Sequence, residues 1–384
     1  MDPSSQIALA FPRGAHQEAL IEGVFRYVGE HGLAWTFAVA PESLSLSITD
    51  LVDWSGDGVL AAIDTAEQAE VARSLTMPVV NISSSLPESP SPRTMVDNRA
   101  VGQVAAEHLL AKGQTAFAFY GLEGIEYSKQ RWKGFEARLE EAGVTGTQHL
   151  AAPTYSFRGD RWKQQLDELS AWLTTLPQPC GVFAVSDYRS RLVLDAARQA
   201  GINSPRQLAI LGVDNEHIIC EHCSPTLSSV VRNNTLEGYR AAAMLHRMLE
   251  GEAPDPFEQA IPPLGVVERE STMEYAVSDP RLKSALEYIA ERSSEPITID
   301  ELTEQLEVSR RWLEYAFRES LHESPYQYLQ RQRLMHAKKL LSEEPEEKIL
   351  TVARRAGFSS EKQLRLAFQK AFGMTPGEFR KLTP

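Results

Sequence analysis

The sequence has only three cysteines among 384 residues, and it contains no long uninterrupted apolar run. So few cysteines cannot form the disulfide framework of a secreted protein, which indicates a reducing compartment. A helix that crosses a bilayer needs roughly 20 apolar residues, and the N-terminus lacks the basic and apolar regions of a signal peptide. These absences predict a cytoplasmic protein without a membrane partner.

The sequence also lacks the motifs of the common enzyme classes. No P-loop, no G-x-G-x-x-G after a strand and no nucleophile elbow occurs, and no Ser-His-Asp arrangement is recognisable. His217, Cys220, His222 and Cys223 lie close together in sequence, but no second ligand pair accompanies them. We therefore expect no enzyme, no catalytic residues, no cofactor and no metal site.

The sequence has an excess of acidic over basic residues, which gives a formal net charge of −13. The excess is unevenly distributed. Residues 278–384 hold 18 Lys and Arg against 17 Asp and Glu, whereas the rest of the chain holds 21 against 35. The acidity therefore belongs to the N-terminal part, and the near-neutral C-terminal part can still carry a basic surface that binds nucleic acid.

Strand-like and helical segments alternate over the first 270 or so residues, which predicts βαβ units with parallel sheets. Short apolar runs indicate buried strands, and amphipathic helices separate them. The length suffices for two α/β lobes. The predicted strands are Gln6–Pro12, Trp35–Ala40, Gly58–Ile63, Pro78–Ser83, Ala116–Gly121, Val182–Val185, Leu208–Val213 and Leu264–Thr272.

Several predicted strands end in charged or polar residues, where a parallel sheet places its ligands. A polyol suits such a set, because each hydroxyl can donate to a carboxylate and accept from an arginine. Phe11 or Trp132 could stack on the apolar face of a sugar. The alternative for each Asp is a helix N-cap. The strand-end residues are Arg13, Asp64, Ser186, Asp187 and Asp214.

Residues 5–272 resemble the sensor domain of LacI-type regulators and the related sugar-binding proteins. The resemblance implies that Arg131, Ser186 or Asp187, Asp214 and Arg232 border a sugar. LacI-type proteins carry their DNA-binding helices ahead of the sensor, so here we expect them elsewhere. The matching segments are Val96-Asp97-Asn98, Arg131 with Gly134-Phe135, Ser186-Asp187, Gly212 to Asn215, Pro225 to Val230, and Val267 to Thr272.

Beyond a predicted linker at 273–280, every periodic segment is helical. Two helix–turn–helix units are predicted near 298–321 and 349–373, and a long helix, Tyr326–Leu341, separates them. A short helix, a tight turn and a second helix with a polar outer face is how a recognition helix is presented to the major groove. The alternative is a pair of ordinary helical hairpins with solvated faces.

Residues 281–384 resemble the AraC/XylS-type DNA-binding domain, through Leu302, Leu313, Phe317, Pro325 and the segment from Ala353 to Arg380. The resemblance implies double-stranded DNA as a partner, a homodimer and a contact with RNA polymerase. Leu364, Leu366 and Gln369 depart from the usual pattern. The residues expected to face DNA are Arg310, Arg311, Trp312, Glu314, Tyr315 and Arg318 in the first unit, and Glu361, Lys362 and Arg365 in the second.

A LacI-like sensor ahead of an AraC-type domain resembles the order found in xylose operon regulators. That resemblance implies a DNA-binding activator of pentose utilisation genes with D-xylose as effector. Sugar-induced lobe closure would then alter dimer geometry on DNA. Two alternatives stay open: a regulator that responds to another sugar, and a cytoplasmic sugar-binding protein or enzyme without DNA function.

Overall fold

The computed structural model describes residues 5–11, 15–39, 45–153, 161–273, 275–277, 279–321, 323–344 and 346–382. Two six-stranded sheets with surrounding helices form the first part, and the last part is helical. The predicted class, a two-lobed α/β sensor followed by an all-α domain, is confirmed. No helix in these ranges is both long and apolar enough to cross a membrane.

The N-terminal lobe contains a parallel sheet in the order β11-β5-β4-β3-β1-β2. Ile7 and Leu9 of β1 pack into one hydrophobic cluster, and Ala8 and Ala10 into another on the opposite face. Burial on both faces explains why this strand is a continuous apolar run. The elements are β1 (Ser5–Ala10), α1 (Ala15–Glu30), β2 (Trp35–Ala38), a 3-10 helix (Ile48–Leu51), β3 (Gly58–Ala61), α2 (Ala66–Ser74), β4 (Val79–Asn81), β5 (Arg93–Val96), α8 (Asn234–Leu249) and β11 (Glu258–Ile261).

The C-terminal lobe contains a sheet in the order β12-β10-β9-β8-β6-β7, in which only β12 is antiparallel to its neighbour among the described pairings. The predicted strand 264–272 proves shorter, because β12 ends at Val267 and a helical turn follows. The elements are α3 (Asn98–Ala111), β6 (Ala116–Leu122), α4 (Glu126–Glu141), β7 (Gly146–Ala151), α5 (Arg161–Thr174), β8 (Cys180–Ala184), α6 (Asp187–Gln199), β9 (Leu208–Val213), α7 (His217–Cys220), β10 (Ser228–Val231), β12 (Gly265–Val267) and α9 (Glu270–Met273).

The chain passes between the lobes three times. It leaves the first sheet after β5 to enter α3, returns after β10 to α8, and passes from β11 to β12 through residues 262–264. We call this last segment the third crossover. The second and third crossovers are joined, because the Leu264 N–H donates to the Val231 carbonyl at 2.8 Å.

Seven helices make up the described C-terminal part. The first unit pairs α11 with α12 and the second pairs α14 with α15, and α13 runs between them. Arg333 of α13 donates to the carbonyl oxygens of Ser293, Glu295 and Ile297 at 2.8–3.0 Å. The helices are α10 (Pro280–Arg292), α11 (Ile299–Gln305), α12 (Arg310–Leu321), α13 (Pro325–Glu343), α14 (Ile349–Arg355), α15 (Glu361–Phe372) and α16 (Pro376–Leu382).

The helical domain packs directly on the second lobe. Leu264 of the third crossover contacts the hydrophobic cluster of the second helix–turn–helix unit. The buried Lys338 of α13 donates from Nζ to the Pro263 carbonyl oxygen at 2.6 Å. Further along, Lys112 pairs with Glu268 at 2.6 Å and lies 4.3 Å from the centroid of the Tyr275 ring. The helical domain is therefore held against a segment that connects the lobes.

Candidate functional site

A cleft of about 340 Å³ lies between the two lobes, and both lobes contribute side chains to it. Its position beyond the carboxyl ends of the parallel strands is where such sheets bind ligands. The lining is mixed, with carboxylates, guanidinium groups and hydroxyls beside aromatic and aliphatic walls. It comprises Phe11, Gln17, Leu20, Ala62, Asp64, Ile82, Ser83, Ser84, Ser85, Val96, Tyr127, Arg131, Ser186, Asp214 and Arg232.

Arg131 enters the cleft from α4 and is almost fully buried. Its Nε donates to Asn98 Oδ1 at 2.9 Å, and its Nη1 donates to the Val185 carbonyl. Burial lowers the pKa of Arg131, and the positive charge of Arg232 adds to this, whereas Asp214 opposes it. An arginine stays protonated under such shifts. The side chain is therefore a fixed cation at the cleft wall.

The placement of Arg131 depends on a close contact between α3 and α4. A Cβ atom added to Gly102 would lie 2.0 Å from the Arg131 carbonyl oxygen, and one added to Gly134 would lie 2.0 Å from that of Arg99. Only glycine fits at both positions. The two glycines therefore let the helix backbones approach and set the depth from which Arg131 reaches the cleft.

Asp214 and Arg232 form an ion pair at the cleft, with Nη1 and Oδ1 3.4 Å apart. Arg232 also pairs with the buried Glu237 at 3.0 Å. Burial opposes the charge of Arg232, but the attractions of Glu237 and Asp214 outweigh it and raise its pKa. Asp214 follows β9 with φ +105°, a strained value for a non-glycine residue, and its N–H donates to the Val230 carbonyl at 3.0 Å. The backbone therefore aims this carboxylate into the cleft.

The N-terminal lobe supplies Asp64 after β3. Its Oδ1 accepts from the Ser83 hydroxyl at 2.5 Å and from the Ser85 hydroxyl at 2.7 Å. The Asp64 N–H donates to Gln68 Oε1 at 2.7 Å, so the residue is tied to the first turn of α2. The cleft thus has a carboxylate from each lobe, Asp64 opposite Asp214, with two guanidinium groups in the second lobe.

The two helix–turn–helix units have the same internal construction. The Ser309 and Ser360 hydroxyls each accept from the N–H group three residues later, at 3.2 Å, and so cap α12 and α15. Both helices have 12 residues. Leu313 and Phe317 are buried in the first helix, and Leu364 and Phe368 are buried 51 residues later in the second. One face of each helix is therefore committed to the core.

Known proteins share both the two-lobed part that holds the cleft and the helix–turn–helix part. A periplasmic binding protein-like domain matches residues 106–272, a XylR N-terminal domain matches 6–96, and a helix-turn-helix domain matches 302–382. The xylose operon regulatory protein of Escherichia coli K12 is 30% identical over 373 residues, which covers 95% of this chain and 94% of that protein. The chain belongs to the xylose operon regulatory protein family.

Two other relatives of this family agree. The xylose operon regulatory protein of Haemophilus influenzae is 29% identical over 385 residues, with 98% of each chain covered. A solved structure described as a xylose-binding transcription activator is 28% identical, with a TM-score of 0.62, and covers 100% of this chain and 99% of its own. These relatives are transcription regulators and not enzymes. The predicted DNA-binding regulator class is therefore confirmed.

The structure brings together five of the eight side chains that the sequence assigned to a sugar site in this regulator. Asp64, Ser186, Arg131, Asp214 and Arg232 all line the cleft. Arg13 lies outside the described residues. The other two assigned side chains, those of Asp187 and Trp132, are absent from the described lining.

Trp132 points away from the cleft, into the hydrophobic core of the second lobe. Its ring lies 5.7 Å from the ring of Phe119 and 6.2 Å from that of Phe135. Arg131 and Trp132 are neighbours on α4, and successive helical residues point about 100° apart. The residue that lines the cleft and the residue that anchors the helix are therefore adjacent in sequence.

Asp187 is completely buried behind the cleft. It accepts from the Ser229 hydroxyl at 2.7 Å, the Glu216 N–H at 2.8 Å and the Cys220 thiol at 3.3 Å. Burial and the nearby Asp214 raise the pKa of Asp187 to about 7. Its carboxylate thus joins β10 to the loop after β9, the loop that carries Asp214.

Sequence reasoning missed several cleft residues. Tyr127 lies on α4 one turn before Arg131, with the Arg131 guanidinium 5.1 Å from its ring centroid. Gln17 enters from α1, and Ser83, Ser84 and Ser85 follow β4. The serine run after a predicted buried strand was the available signal, because strand-end hydroxyls mark the ligand edge as charged groups do.

The residues assigned to the first DNA-reading helix occupy two kinds of environment. Arg310 pairs with Asp300 at 2.7 Å, and the Arg281 guanidinium lies 4.3 Å from the centroid of the Trp312 ring. Trp312 also packs against the hydrophobic cluster beneath. Arg310 and Trp312 therefore have intramolecular partners, whereas Arg311, Tyr315 and Arg318 are exposed and Glu314 is half-buried.

In the second reading helix, Glu361, Lys362 and Arg365 are all exposed. Arg311, Arg318, Lys362 and Arg365 form no ion pair with any residue that the structure describes. Unpaired cations on exposed faces are available to phosphates and base edges. The exposed faces of α12 and α15 therefore carry unpaired basic residues, although the net charge of the whole chain is negative.

Proposed function

We propose that this regulator senses a neutral pentose, with D-xylose as the leading effector, and that the sugar changes how the protein binds its operator. The observation that carries the proposal is the cleft in which Asp64 of one lobe faces Asp214, Arg131 and Arg232 of the other. The names of the relatives, a xylose-binding activator among them, support the choice of sugar.

The charges of the cleft favour a neutral polyol over an acidic sugar. Two guanidinium groups lie at the cleft, but Arg232 already pairs with Asp214 and Glu237. The carboxylates accept hydroxyl donors and the guanidinium groups donate to hydroxyl oxygens. The side chain of Phe11 in the cleft wall offers an apolar surface to sugar C–H groups. A sugar bridging Asp64 and Asp214 would favour a closed arrangement of the lobes.

The third crossover provides a route by which closure would reach the DNA-binding domain. Lobe closure requires rotation about the crossovers, and the third crossover contacts α13 through Pro263 and the second helix–turn–helix core through Leu264. A sugar can shift DNA affinity only as far as it prefers one lobe arrangement over the other. In this proposal that preference is transmitted by contacts of the third crossover.

The proposal includes a homodimer that acts in the cytoplasm on two half-sites and activates transcription by contacting RNA polymerase. An exposed surface on α1 supports the dimer, because Phe25 is 47% exposed and borders a groove with Ile21, Glu18, Glu22 and Arg26. Phe25→Asp should then lower the molar mass of the particle in light scattering. An unchanged mass would contradict this choice of interface.

A thermal-shift panel of pentoses and hexoses tests the effector. D-xylose should raise Tm, and Asp214→Ala or Arg131→Ala should abolish that rise while the protein remains folded. Asp195→Asn is the control, because it removes an ion-pairing carboxylate of the same lobe, 3.7 Å from Arg198 and outside the cleft. A shift with a hexose and with no pentose would refute the xylose proposal.

Gel shifts with genomic fragments test the linkage between sugar and DNA. We expect sequence-selective binding whose affinity or footprint changes with the sugar and falls as salt rises. A folded dimer that binds the sugar without any effect on DNA would support a sugar-binding protein instead.

A further inference from the structure

One exposed apolar side chain occupies the same position in each reading helix. Tyr315 is the sixth residue of α12 and is 65% exposed, and Leu366 is the sixth residue of α15 and is 56% exposed. A lone exposed leucine on a protein surface needs no explanation. Here, however, the exposed apolar residue recurs at equivalent positions of two helices that share a cap and a core pattern, and this recurrence needs an explanation.

The surroundings of Leu366 exclude a role in packing. The buried residues of α15 are Leu364 and Phe368, two positions to either side, so Leu366 projects from the opposite side of the helix. One turn before it lies Lys362 and one turn after it lies Lys370, both exposed. The leucine is thus the centre of a polar and basic face.

Tyr315 has the corresponding surroundings. Arg311 lies one turn before it and Arg318 one turn after it, and both are exposed. An aromatic or aliphatic group flanked by cations on the exposed face of such a helix meets DNA with its flanks on phosphates and its centre at the base edges. The partner of an apolar group there is the thymine C5-methyl, which is the apolar feature of the major groove.

We propose that Leu366, together with Tyr315 in the first unit, determines operator specificity by contacting a thymine methyl group in each of two successive major-groove segments. Lys362 and Arg365 then supply affinity and guanine contacts, and Leu366 supplies discrimination at a thymine.

Deoxyuridine, which is thymine without the methyl, tests the proposal directly. Operator duplexes selected from random DNA by the full-length protein are resynthesised with single thymine-to-deoxyuridine replacements. In the second-unit segment, one replacement should weaken binding about fourfold, which is the value of burying one methyl group at about 0.8 kcal/mol. In Leu366→Ala, that same replacement should have no further effect.

Leu350→Ala is the matched control, because Leu350 is also exposed, at 43%, but lies on the first helix of the second unit. It should keep the deoxyuridine sensitivity of the parent. Leu366→Gln should change the selected base at that position from thymine to adenine, since glutamine pairs with adenine. The far-UV circular dichroism spectrum and the Tm of each variant should match those of the parent, because the side chains of Leu350 and Leu366 are exposed.

Two results would overturn the proposal. One is a selected site in which no thymine replacement weakens binding. The other is equal deoxyuridine sensitivity in the parent and in Leu366→Ala. Because selection of a DNA site precedes both measurements, these results are distinct from a failure to bind DNA at all.

Discussion

The Nζ atom of Lys338 lies 2.6 Å from the carbonyl oxygen of Pro263, and this hydrogen bond joins α13 to the third crossover. The ammonium group also lies 5.0 Å from the Phe372 ring centroid and 5.5 Å from that of Phe379. The same amino group therefore contacts the sensor and two aromatic rings of the hydrophobic cluster of the second helix–turn–helix unit, one from α15 and one from α16. Pro263 belongs to the segment that connects the lobes, so the contact lies where sensing and DNA binding meet.

Stability should depend on the titration of Lys338. Burial lowers the pKa of Lys338 to about 8, whereas its ordinary value is 10.5. Between pH 8 and 10.5 the unfolded chain binds a proton that the folded chain has lost, so unfolding becomes harder as pH rises. Relative to Lys338→Met, which cannot titrate, the parent should gain roughly 3 kcal/mol across that range. Urea denaturation at pH 7 and pH 10 measures this, and a pH-independent difference would contradict it.

Leu264→Ala should weaken the coupling between sugar and DNA while it spares both binding sites. The side chain contacts the hydrophobic cluster of the second unit, and its N–H bonds to Val231, next to the cleft residue Arg232. An allosteric effector usually changes the affinity for the second ligand about 5- to 150-fold. In the variant, the ratio of operator affinities with and without sugar should move toward one. Fluorescence anisotropy on operator DNA with and without sugar gives the ratio.

Val267→Ala on β12 is the control for that measurement, because Val267 is 37% exposed and lies on the strand that follows the third crossover. It should keep the parental ratio. Sugar affinity from calorimetry should be similar in all three proteins. An unaltered ratio in Leu264→Ala would remove the third crossover from the mechanism.

Asp187 should affect sugar binding without contacting the sugar. Asp187→Ala leaves the Ser229 hydroxyl and the Glu216 N–H without their acceptor, which costs about 1–3 kcal/mol for each buried group. It also loosens the loop that carries Asp214. We expect a lower Tm and weaker sugar binding, measured by differential scanning and titration calorimetry. Unchanged sugar affinity in the folded variant would be evidence against a positioning role.

The same carboxyl group gives a pH signature. Because the folded pKa of Asp187 is about 7 and the ordinary value is 3.8, the folded chain holds a proton between those values that the unfolded chain has lost. Stability from this group therefore falls as pH rises from about 4 to 7. The free energy of unfolding of the parent relative to Asp187→Asn should decrease from pH 5 to pH 8.

The turns of the two helix–turn–helix units predict opposite effects of substitution. Glu307 has φ +52° in the first turn, and Gly357 has φ +83° in the second. Glu307→Gly should stabilise the protein by about 1 kcal/mol, because left-handed backbone is costly for a residue with a Cβ atom. Gly357→Ala should destabilise it more, because the new Cβ would lie 2.4 Å from the Ser293 carbonyl oxygen. Chemical denaturation compares the two, and destabilisation by Glu307→Gly would refute the first expectation.

Much of the fold is predictable from apolar periodicity, and the exceptions have a physical cause. Strands buried on both faces, such as β8 and β9, are continuous apolar runs and were predicted. The edge strand β7 has the polar sequence GTQHLA with half its residues exposed, so no apolar run marks it. Edge position, and not sequence, makes β7 a strand.

The site was predictable only to the level of strand ends. Ser186 and Asp187 are adjacent, and which of them faces the cleft depends on where α6 begins: Ser186 is its N-cap and Asp187 its first residue. No sequence pattern specifies that rotation. Likewise, the hydrogen bond between Pro263 and Lys338 joins residues 75 positions apart in two domains, and neither segment carries a motif that indicates the other.

Arg333 has a consequence for the operators that this protein can use. From the helix that precedes the second unit, it binds three carbonyl groups ahead of the first, and we therefore expect the two reading helices to move together. The distance between the two base sequences read by one copy is then a constant of the molecule. In the proposed dimer, an effector would alter the spacing between the two copies, but it would not change the spacing of the two base sequences that one copy reads.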